Sequence, residues 1–294
     1  MPQPSGTEPK LPGAATGSLE RLCGRASADR PAGDRVRIGT GAAGIERLEA
    51  RFHGQAFSPH RHDTYAIGIT LVGVQTFRFR GERWHCLPGQ CHILHPDETH
   101  DGGAATDAGF GYRIVYVDPC LIQAALGGGP LPFVGHPVVT ADRLPAGFDR
   151  EIWNIDEEID EVARIAHAAG LADLLVDVAS PGAKPSAPLA LMLLLRVREF
   201  IAADPTRRHA IETFEAISGL DRWTLARQFR AAFGTSPSHF RTMRQLDCVR
   251  RSLRLGTSLA QASAEAGFAD QSHMSRHFKK AYGLTPGAWA SAVL

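Results

Sequence analysis

The sequence predicts an α+β chain of two domains, a small β-barrel followed by helices and then an all-α domain. Three observations lead to this prediction. Short β-branched and alternating runs bounded by Gly and Pro fill roughly residues 35–118, a pattern typical of many short strands. Residues 181–188 (PGAKPSAP) form a Pro-rich break. Beyond that break, residues 189–294 combine helical periodicity with an internal duplication.

Length and composition limit the class of protein. A chain of 294 residues is long enough for two hydrophobic cores. Its five cysteines are odd in number and have no C-x-x-C spacing, which argues against a disulfide scaffold or a zinc finger and favours a reducing compartment. The sequence has no apolar run of membrane-spanning length, and its first residues lack the apolar core of a signal peptide. We therefore expect a cytoplasmic protein without a membrane partner.

The N-terminal half begins with a segment of low complexity and continues with short strands. Residues 1–33 are rich in Pro, Gly, Ala and Ser without periodicity, which predicts a disordered tail. Residues 34–140 are expected to form the barrel, because short strands separated by Gly and Pro favour that architecture. The strands predicted most clearly are residues 67–72, 75–80, 91–95 and 112–117.

Residues 141–180 are predicted to be helical. Ile152, Ile155 and Ile159 recur near the helical period, and acidic residues crowd the opposite side. Such a segment can pack on the barrel or form a dimer interface, and the sequence leaves both alternatives open. Residues 181–188 are then expected to be a flexible linker between the two domains.

The C-terminal domain, residues 189–294, contains one motif twice. Each copy predicts a helix with an aspartate N-cap, apolar residues four apart, and a glycine stop followed by proline. Shorter helices at residues 211–218 and 258–266 precede the two copies, which makes each unit a helix-turn-helix, and residues 238–255 should form the long helix between them. An offset of 49 residues superimposes Asp221 on Asp270, Leu225 on Met274, Arg227 on Arg276, Phe229 on Phe278, Gly234 on Gly283 and Pro237 on Pro286.

Hydrogen-bond donors occupy the other face of both predicted helices, which suits insertion into the major groove of DNA. Charge supports this interpretation. Residues 189–294 hold 15 Lys and Arg against eight Asp and Glu, a net charge of +7, whereas residues 1–188 hold 17 against 23, a net charge of −6. The candidate DNA-binding residues are Arg222, Trp223, Thr224, Arg227, Gln228 and Arg230 in the first copy and Gln271, Ser272, His273, Arg276, Lys279 and Lys280 in the second. The candidates for base contacts are Arg222, Trp223, Thr224 and Arg227 in the first copy and Gln271, Ser272, His273 and Arg276 in the second, and the sequence leaves open which of them touch phosphate instead. Arg230, Lys279, Lys280 and also Arg244 are better placed for phosphates.

The phrases GLDRWTLARQFRAAFGTSPSHF and AGFADQSHMSRHFKKAYGLTPGAW resemble the AraC-type (AraC/XylS) family of bacterial transcription regulators over about 100 residues. The order of features in the N-terminal half is similar to the cupin-type sensor domain of these regulators: residues 60–62 (HRH), residues 87–89 (LPG) and residues 96–100 (PDETH). The resemblance implies sequence-specific binding to double-stranded DNA, a small-molecule effector and a homodimer, with RNA polymerase as a further candidate partner.

Seven of the 13 histidines lie between His53 and His100, and three interpretations of them remain open. His60, His62 and His100 with Glu98 could form a metal site. Alternatively, polar groups line a metal-free ligand pocket, or the histidines are satisfied by backbone groups at edges and loops. The candidate ligand-binding residues are His60, His62, Tyr65, His95, Glu98 and His100.

A carboxylate expected in cupin enzymes is missing from this histidine pattern. Cupin enzymes carry an acid a few residues beyond H-x-H, but here no acid occurs between Asp63 and Glu82. We therefore expect a regulator that is not an enzyme and carries no cofactor. The alternative is a metal-dependent cupin enzyme fused to a DNA-binding domain.

Overall fold

The computed structural model describes residues 35–144, 151–180, 188–282, 285–287 and 290. The predicted tail at residues 1–33 and nearly all of the predicted linker lie outside these residues. A β-sheet domain is followed by a helical domain, so the predicted α+β class with two domains is confirmed.

Two antiparallel sheets build the N-terminal domain. Its strands are β1 (Arg35–Ile38), β2 (Ile45–Phe52), β3 (Gln55–His60), β4 (Tyr65–Gly73), β5 (Gln75–Phe79), β6 (Glu82–Cys86), β7 (Cys91–Leu94), β8 (His100–Ala104), β9 (Phe110–Val117) and β10 (Val138–Val139). The six-stranded sheet has the order β1-β2-β9-β4-β7-β10, and the four-stranded sheet has the order β3-β8-β5-β6. The sheets face each other across an apolar interior that contains Phe52, Phe77 and Tyr112.

The six-stranded sheet is covered on both faces, which explains why β4 is apolar almost throughout. Side chains alternate across a strand, so Ala66 packs in the interior between the sheets, while Tyr65 and Ile67 pack in a second core. That second core also contains Leu171 and Leu174 of α2 (Glu161–Asp177). The predicted strands were placed correctly, because each has either an apolar run or regular alternation of polar and apolar residues.

The segment predicted to be helical at residues 141–180 is only partly so. A 3-10 turn (Ala141–Arg143) and turns at residues 151–159 precede α2. Ile152 and Trp153 are buried against the six-stranded sheet and Ile155 is buried as well, so their spacing reflects packing of an irregular segment. Asp160 ends that segment, because its carboxylate accepts a hydrogen bond from the Ala163 N–H and caps the helix.

The remaining helices are α1 (Pro119–Ala125), α3 (Leu191–Ala203), α4 (Ile211–Ser218), α5 (Arg222–Phe233), α6 (Pro237–Arg254), α7 (Leu259–Glu265) and α8 (Gln271–Tyr282). The predicted caps are confirmed where the structure describes them. Asp221 accepts from the backbone N–H groups of Trp223 and Thr224, and Asp270 accepts from that of His273 at 2.7 Å. Gly234 ends α5 with a φ of 72°, whereas Gly283 lies outside the described residues.

The helical domain has two cores joined by α6. Phe229 of α5 packs with α3 and α4 in one core, and Phe278 of α8 packs with α7 in the other. Helix α6 contributes Phe240 to the first core and Leu246 to the second. Because 18 continuous helical residues cross both cores, α6 fixes the position of one helix-turn-helix unit relative to the other.

Candidate nucleic-acid interface and sensor cavity

Helix α5 exposes the polar face that the sequence predicts. Leu225 and Phe229 are fully buried, whereas Arg222, Trp223 and Arg227 are exposed. The Trp223 side chain is 78% exposed, so it does not pack against α6. An indole this open contributes almost nothing to a core, which leaves it available to a partner.

Two other candidates on α5 are already engaged. The Gln228 side-chain oxygen accepts a hydrogen bond from the Ala190 N–H at 2.9 Å, just before α3 begins. Gln228 thereby fixes the N-terminal end of α3, the first helix of the helical domain. Arg230 extends towards the barrel, where its guanidinium lies 3.4 Å from a carboxylate oxygen of Asp97.

Helix α8 presents a second exposed polar face. Met274 and Phe278 are buried, while the exposed residues are Gln271, Ser272, Arg276, Lys279 and Lys280. His273 differs from them, because it is half-buried and its Nε2 lies 3.0 Å from Nε2 of His277. The two imidazoles one turn apart are thus tied to each other.

Asp97, in the turn between β7 and β8, joins the barrel to the first helix-turn-helix unit. Its side chain is only 4% exposed. The carboxylate is 3.1 Å from Arg61, 3.2 Å from the Thr235 hydroxyl, 3.3 Å from His239 and 3.4 Å from Arg230. Three of these partners belong to the helical domain. One buried carboxylate of the barrel therefore makes three polar contacts with the helical domain.

Residues 60–63 join the barrel to the second helix-turn-helix unit. The Arg61 N–H donates to the Lys280 carbonyl oxygen at the end of α8, at 3.0 Å. Arg244 of α6 donates to Asp63 at 2.7 Å. Burial raises the pKa of Asp63 to about 6, although Arg244 opposes that shift. Arg244, predicted to contact phosphate, therefore lies inside the interface between the domains.

A cavity of about 340 Å³ lies between the barrel and α6. Its barrel side includes Ile45, Leu48, His60, His62, Asp63 and Tyr116. Its helical side is formed by Met243, Arg244, Asp247, Arg250, Ala281 and Tyr282. The cavity therefore has both apolar side chains and the ion-paired residues Asp63, Arg244, Asp247 and Arg250 in its lining. Both domains contribute to it.

The predicted ligand-binding residues are only partly brought together. His60 and His62 line the cavity, and His100 packs against both of them. Tyr65 is fully buried in the core beneath α2, and Nε2 of His95 accepts from the Val134 N–H. Glu98 is held by the guanidinium of Arg80 through two hydrogen bonds of 2.5 and 2.8 Å. Tyr65, His95 and Glu98 are not among the residues that line this cavity.

His60, His62 and His100 form a compact cluster. Their rings offer one nitrogen each, and these nitrogens lie within 4.8 Å of one another. Burial holds the pKa of all three imidazoles below the ordinary histidine value, and that of His62 falls to about 3. All three are therefore neutral at physiological pH, although His60 and His62 keep part of their surface open towards the cavity.

Comparison with known proteins identifies both domains. Residues 42–178 match the AraC-like ligand binding domain, and residues 216–292 match a helix-turn-helix domain. The chain belongs to the AraC-type transcriptional regulators. It is a DNA-binding regulator, as the sequence motifs had predicted, and its β-sheet domain matches a ligand-binding domain.

Named relatives agree with this assignment. The HTH-type transcriptional regulator YbfI of Bacillus subtilis is 25% identical over 234 residues, which cover 76% of this chain and 84% of that protein. The HTH-type transcriptional regulator RipA of Corynebacterium glutamicum is 25% identical over 224 residues, covering 76% of this chain and 60% of that protein.

Solved structures of ToxT from Vibrio cholerae share the fold of this AraC-type regulator. The wild-type protein with a bound unsaturated fatty acid superimposes with a TM-score of 0.56 at 11% identity, over 90% of this chain and 98% of ToxT. The complex with (E)-4-(8-methylnaphthalen-1-yl)but-3-enoic acid gives a TM-score of 0.53 at 12% identity, over 88% and 99%. Among the helices that the structure describes, none combines the length and apolar character needed to cross a membrane.

Proposed function

We propose that α5 and α8 are the recognition helices of this regulator and that they enter two successive major grooves on one face of the DNA. The observation that carries this proposal is the matched exposure of the two helices. Each buries its apolar side in a separate core and leaves basic and polar side chains in solvent. Successive major grooves lie about 34–36 Å apart, and the continuous helix α6 holds the two helices at a fixed separation.

The exposed residues have chemistry suited to different parts of DNA. Arg227 and Arg276 occupy the same position in the two copies, and arginine binds guanine through two hydrogen bonds. Gln271 suits adenine, and the carbon surface of Trp223 suits a thymine methyl group. The further candidates for base contacts are Arg222, Thr224 and Ser272, and those for phosphates are Arg230, Lys279 and Lys280. Gln228 and His273 are omitted, because their side chains are engaged within the helical domain.

Selection of bound duplexes from a random pool tests this proposal. We expect a site with two parts, centred about 10–10.5 base pairs apart. Arg227→Ala should relax the preference in one part, and Arg276→Ala should relax it in the other. Arg83→Ala removes an exposed arginine from the barrel and should leave both preferences intact. Relaxation of the same part by both helix variants would refute the arrangement.

The cavity between the domains is proposed to hold the effector. A ligand changes a conformational equilibrium only if it binds the two states with different affinity. Both domains line this cavity, so a change in their relative position would change the ligand's affinity. Its volume of about 340 Å³ falls at the lower end of the range for small-molecule sites, about 300–1,000 Å³. ToxT, which has the same fold, was solved with two carboxylic acids. A small organic acid that competes with Asp63 for Arg244 fits this cavity.

Calorimetric titration with small organic acids, a fatty acid among them, tests the effector site. Ala42 lines the cavity, so Ala42→Phe should occupy its volume and abolish binding. The matched variant Ala124→Phe adds the same ring to an exposed position on α1 and should bind normally. Equal binding to both variants would place the effector elsewhere.

The outer face of α2 is proposed to form a homodimer contact. Val162, Ile165 and Val176 are 76%, 59% and 52% exposed, while the opposite face of the same helix packs on the barrel. One helix can therefore both pack on the barrel and form a dimer interface, the two alternatives that the sequence left open. Sedimentation equilibrium should show a dimer that Ile165→Glu converts to a monomer, whereas Val72→Glu, on exposed β4 surface, should have no effect. A dimer that survives Ile165→Glu would exclude this face.

A further inference from the structure

The histidine cluster has a hydrogen-bond pattern that fixes the tautomer of every ring. Nδ1 of His60 lies 2.9 Å from the Ser58 carbonyl oxygen, and Nδ1 of His62 lies 3.0 Å from that of Thr64. Nδ1 of His100 lies 2.9 Å from the carbonyl oxygen of Glu98. A carbonyl oxygen only accepts, so Nδ1 carries the proton in each ring. All three Nε2 atoms therefore keep a free lone pair.

Each of the three rings offers one nitrogen, and these nitrogens lie within 4.8 Å of one another, so the cluster suits a positively charged partner. Nε2 of His62 is buried without any hydrogen-bond partner, which is costly for a polar atom. Donation of the other ring N–H to a backbone carbonyl is also how proteins orient histidine ligands of metals. The pattern of donors is therefore that of a metal site.

We propose that His60, His62 and His100 bind one divalent first-row transition metal ion through their Nε2 atoms. This site goes beyond the proposed DNA and effector functions. In a tetrahedral site with metal–nitrogen bonds of about 2.0–2.1 Å, ligand nitrogens lie about 3.3 Å apart. The nitrogens that the three rings offer lie within 4.8 Å of one another, so a bound ion would draw them closer together. Neutral imidazoles favour Zn²⁺, Fe²⁺, Co²⁺, Ni²⁺ and Cu²⁺ over Mg²⁺ or Ca²⁺.

The strands around the cluster make it rigid. His60 ends β3 and His100 begins β8, and the two residues are partners in the register of those strands. His62 follows two residues later, with its ring 4.9 Å from that of His100. Side chains on paired strands hold their positions better than side chains on loops, so the site is preorganised.

The carboxylates beside the three histidines in the sequence are engaged by other groups, and Asp101 accepts a hydrogen bond from the Arg78 backbone N–H at 2.7 Å. Glu98 is held by Arg80 and Asp63 is held by Arg244, so neither serves as a fourth ligand. An ion held by three histidines keeps a coordination position for an added ligand. Because His60 and His62 line the cavity, an ion held by the cluster would lie beside the proposed effector site. An effector with an oxygen or nitrogen donor would complete the coordination.

Titration of untagged, chelator-stripped full-length protein with Co²⁺ tests this site. We expect one ion per chain, with the intense visible absorption of tetrahedral cobalt, displaced by Zn²⁺. His62→Gln and His100→Gln should each weaken binding at least about tenfold, because one of three ligands is lost. His85→Gln, an exposed histidine in β6, should bind Co²⁺ normally. His277→Gln removes the histidine pair of α8 and should also bind normally.

A ligand exchange keeps the test decisive if a glutamine variant fails to fold. His60→Cys should still bind one Co²⁺ and should add a thiolate-to-cobalt charge-transfer band that the wild-type protein lacks. Loss of the ion in His277→Gln, or its retention in His62→Gln, would place the site elsewhere. Absence of stoichiometric binding by the wild-type protein would also overturn the proposal. Each readout is made without DNA or effector and is therefore independent of the proposed function.

Discussion

Asp97→Asn should raise the affinity of this regulator for DNA by about two- to fivefold. Asp97 holds Arg230, a proposed phosphate contact, against the barrel at 3.4 Å. The carboxylate and a DNA phosphate therefore compete for one guanidinium. Asparagine is the appropriate replacement, because Asp97 has a φ of 59°, a conformation that asparagine tolerates better than most residues. Its amide oxygen can still accept from Thr235.

The size of the expected gain in affinity follows from the solvent exposure of the Asp97 and Arg230 side chains. Asp97 is 4% exposed, but Arg230 is 58% exposed, so water screens much of the attraction. Ion pairs of this kind contribute about 0.2–1 kcal/mol. Values of about 0.4–1 kcal/mol within that range correspond to about a two- to fivefold change in an equilibrium constant. The predicted gain is therefore modest, and it requires a matched control.

Fluorescence anisotropy with a labelled duplex at several salt concentrations measures this effect. The slope of log K against log salt should become steeper by up to about 0.9, because one more phosphate is neutralised. Asp107→Asn removes the same charge from an exposed loop and serves as the control. In an Arg230→Gln background, Asp97→Asn should have no effect. A gain that persists in that background would refute the competition.

Three further predictions concern the helical domain. Trp223→Ala should weaken DNA binding but change the free energy of unfolding by less than about 0.5 kcal/mol, since the indole touches little of the fold; a large loss in urea melts would contradict this. Lys279→Ala should weaken binding to all sequences alike and reduce the salt slope by about 1, and a change in sequence preference would argue against a phosphate contact. Phe278→Ala should destabilise the fold by about 3–5 kcal/mol, because a fully buried ring leaves a cavity; unchanged thermal unfolding would exclude that packing.

Features set by neighbouring residues were predictable from the sequence. Asp221 caps α5 and Gly234 ends it because capping depends on residues within one helical turn. Strand β8 was not predicted, because it has neither an apolar run nor regular alternation. β8 reads HDGGA, and its glycines reflect crowding by β3. A Cβ atom on Gly102 would lie 3.1 Å from the Phe57 ring, and one on Gly103 would lie 3.1 Å from the Gly54 carbonyl oxygen.

Contacts between the domains could not be predicted in this way. Asp63 and Arg244 are 181 residues apart in the chain, and neither belongs to a local motif that indicates the other. The same limit explains the assignment of Glu98 to the ligand pocket. Its proximity to His100 in sequence suggested a shared site, but Arg80, on the neighbouring β-hairpin, binds the carboxylate instead.

Residues 60–63 contact both the proposed effector cavity and the helices of the second helix-turn-helix unit. His60 and His62 face the cavity, whereas the Arg61 N–H and the Asp63 carboxylate hold α8 and α6. Thermodynamic linkage is reciprocal. If a compound in the cavity lowers the affinity for promoter DNA by some factor, the promoter must lower the affinity for that compound by the same factor. The concentration of compound needed for half-saturation will then differ between free regulator and regulator bound to its promoter.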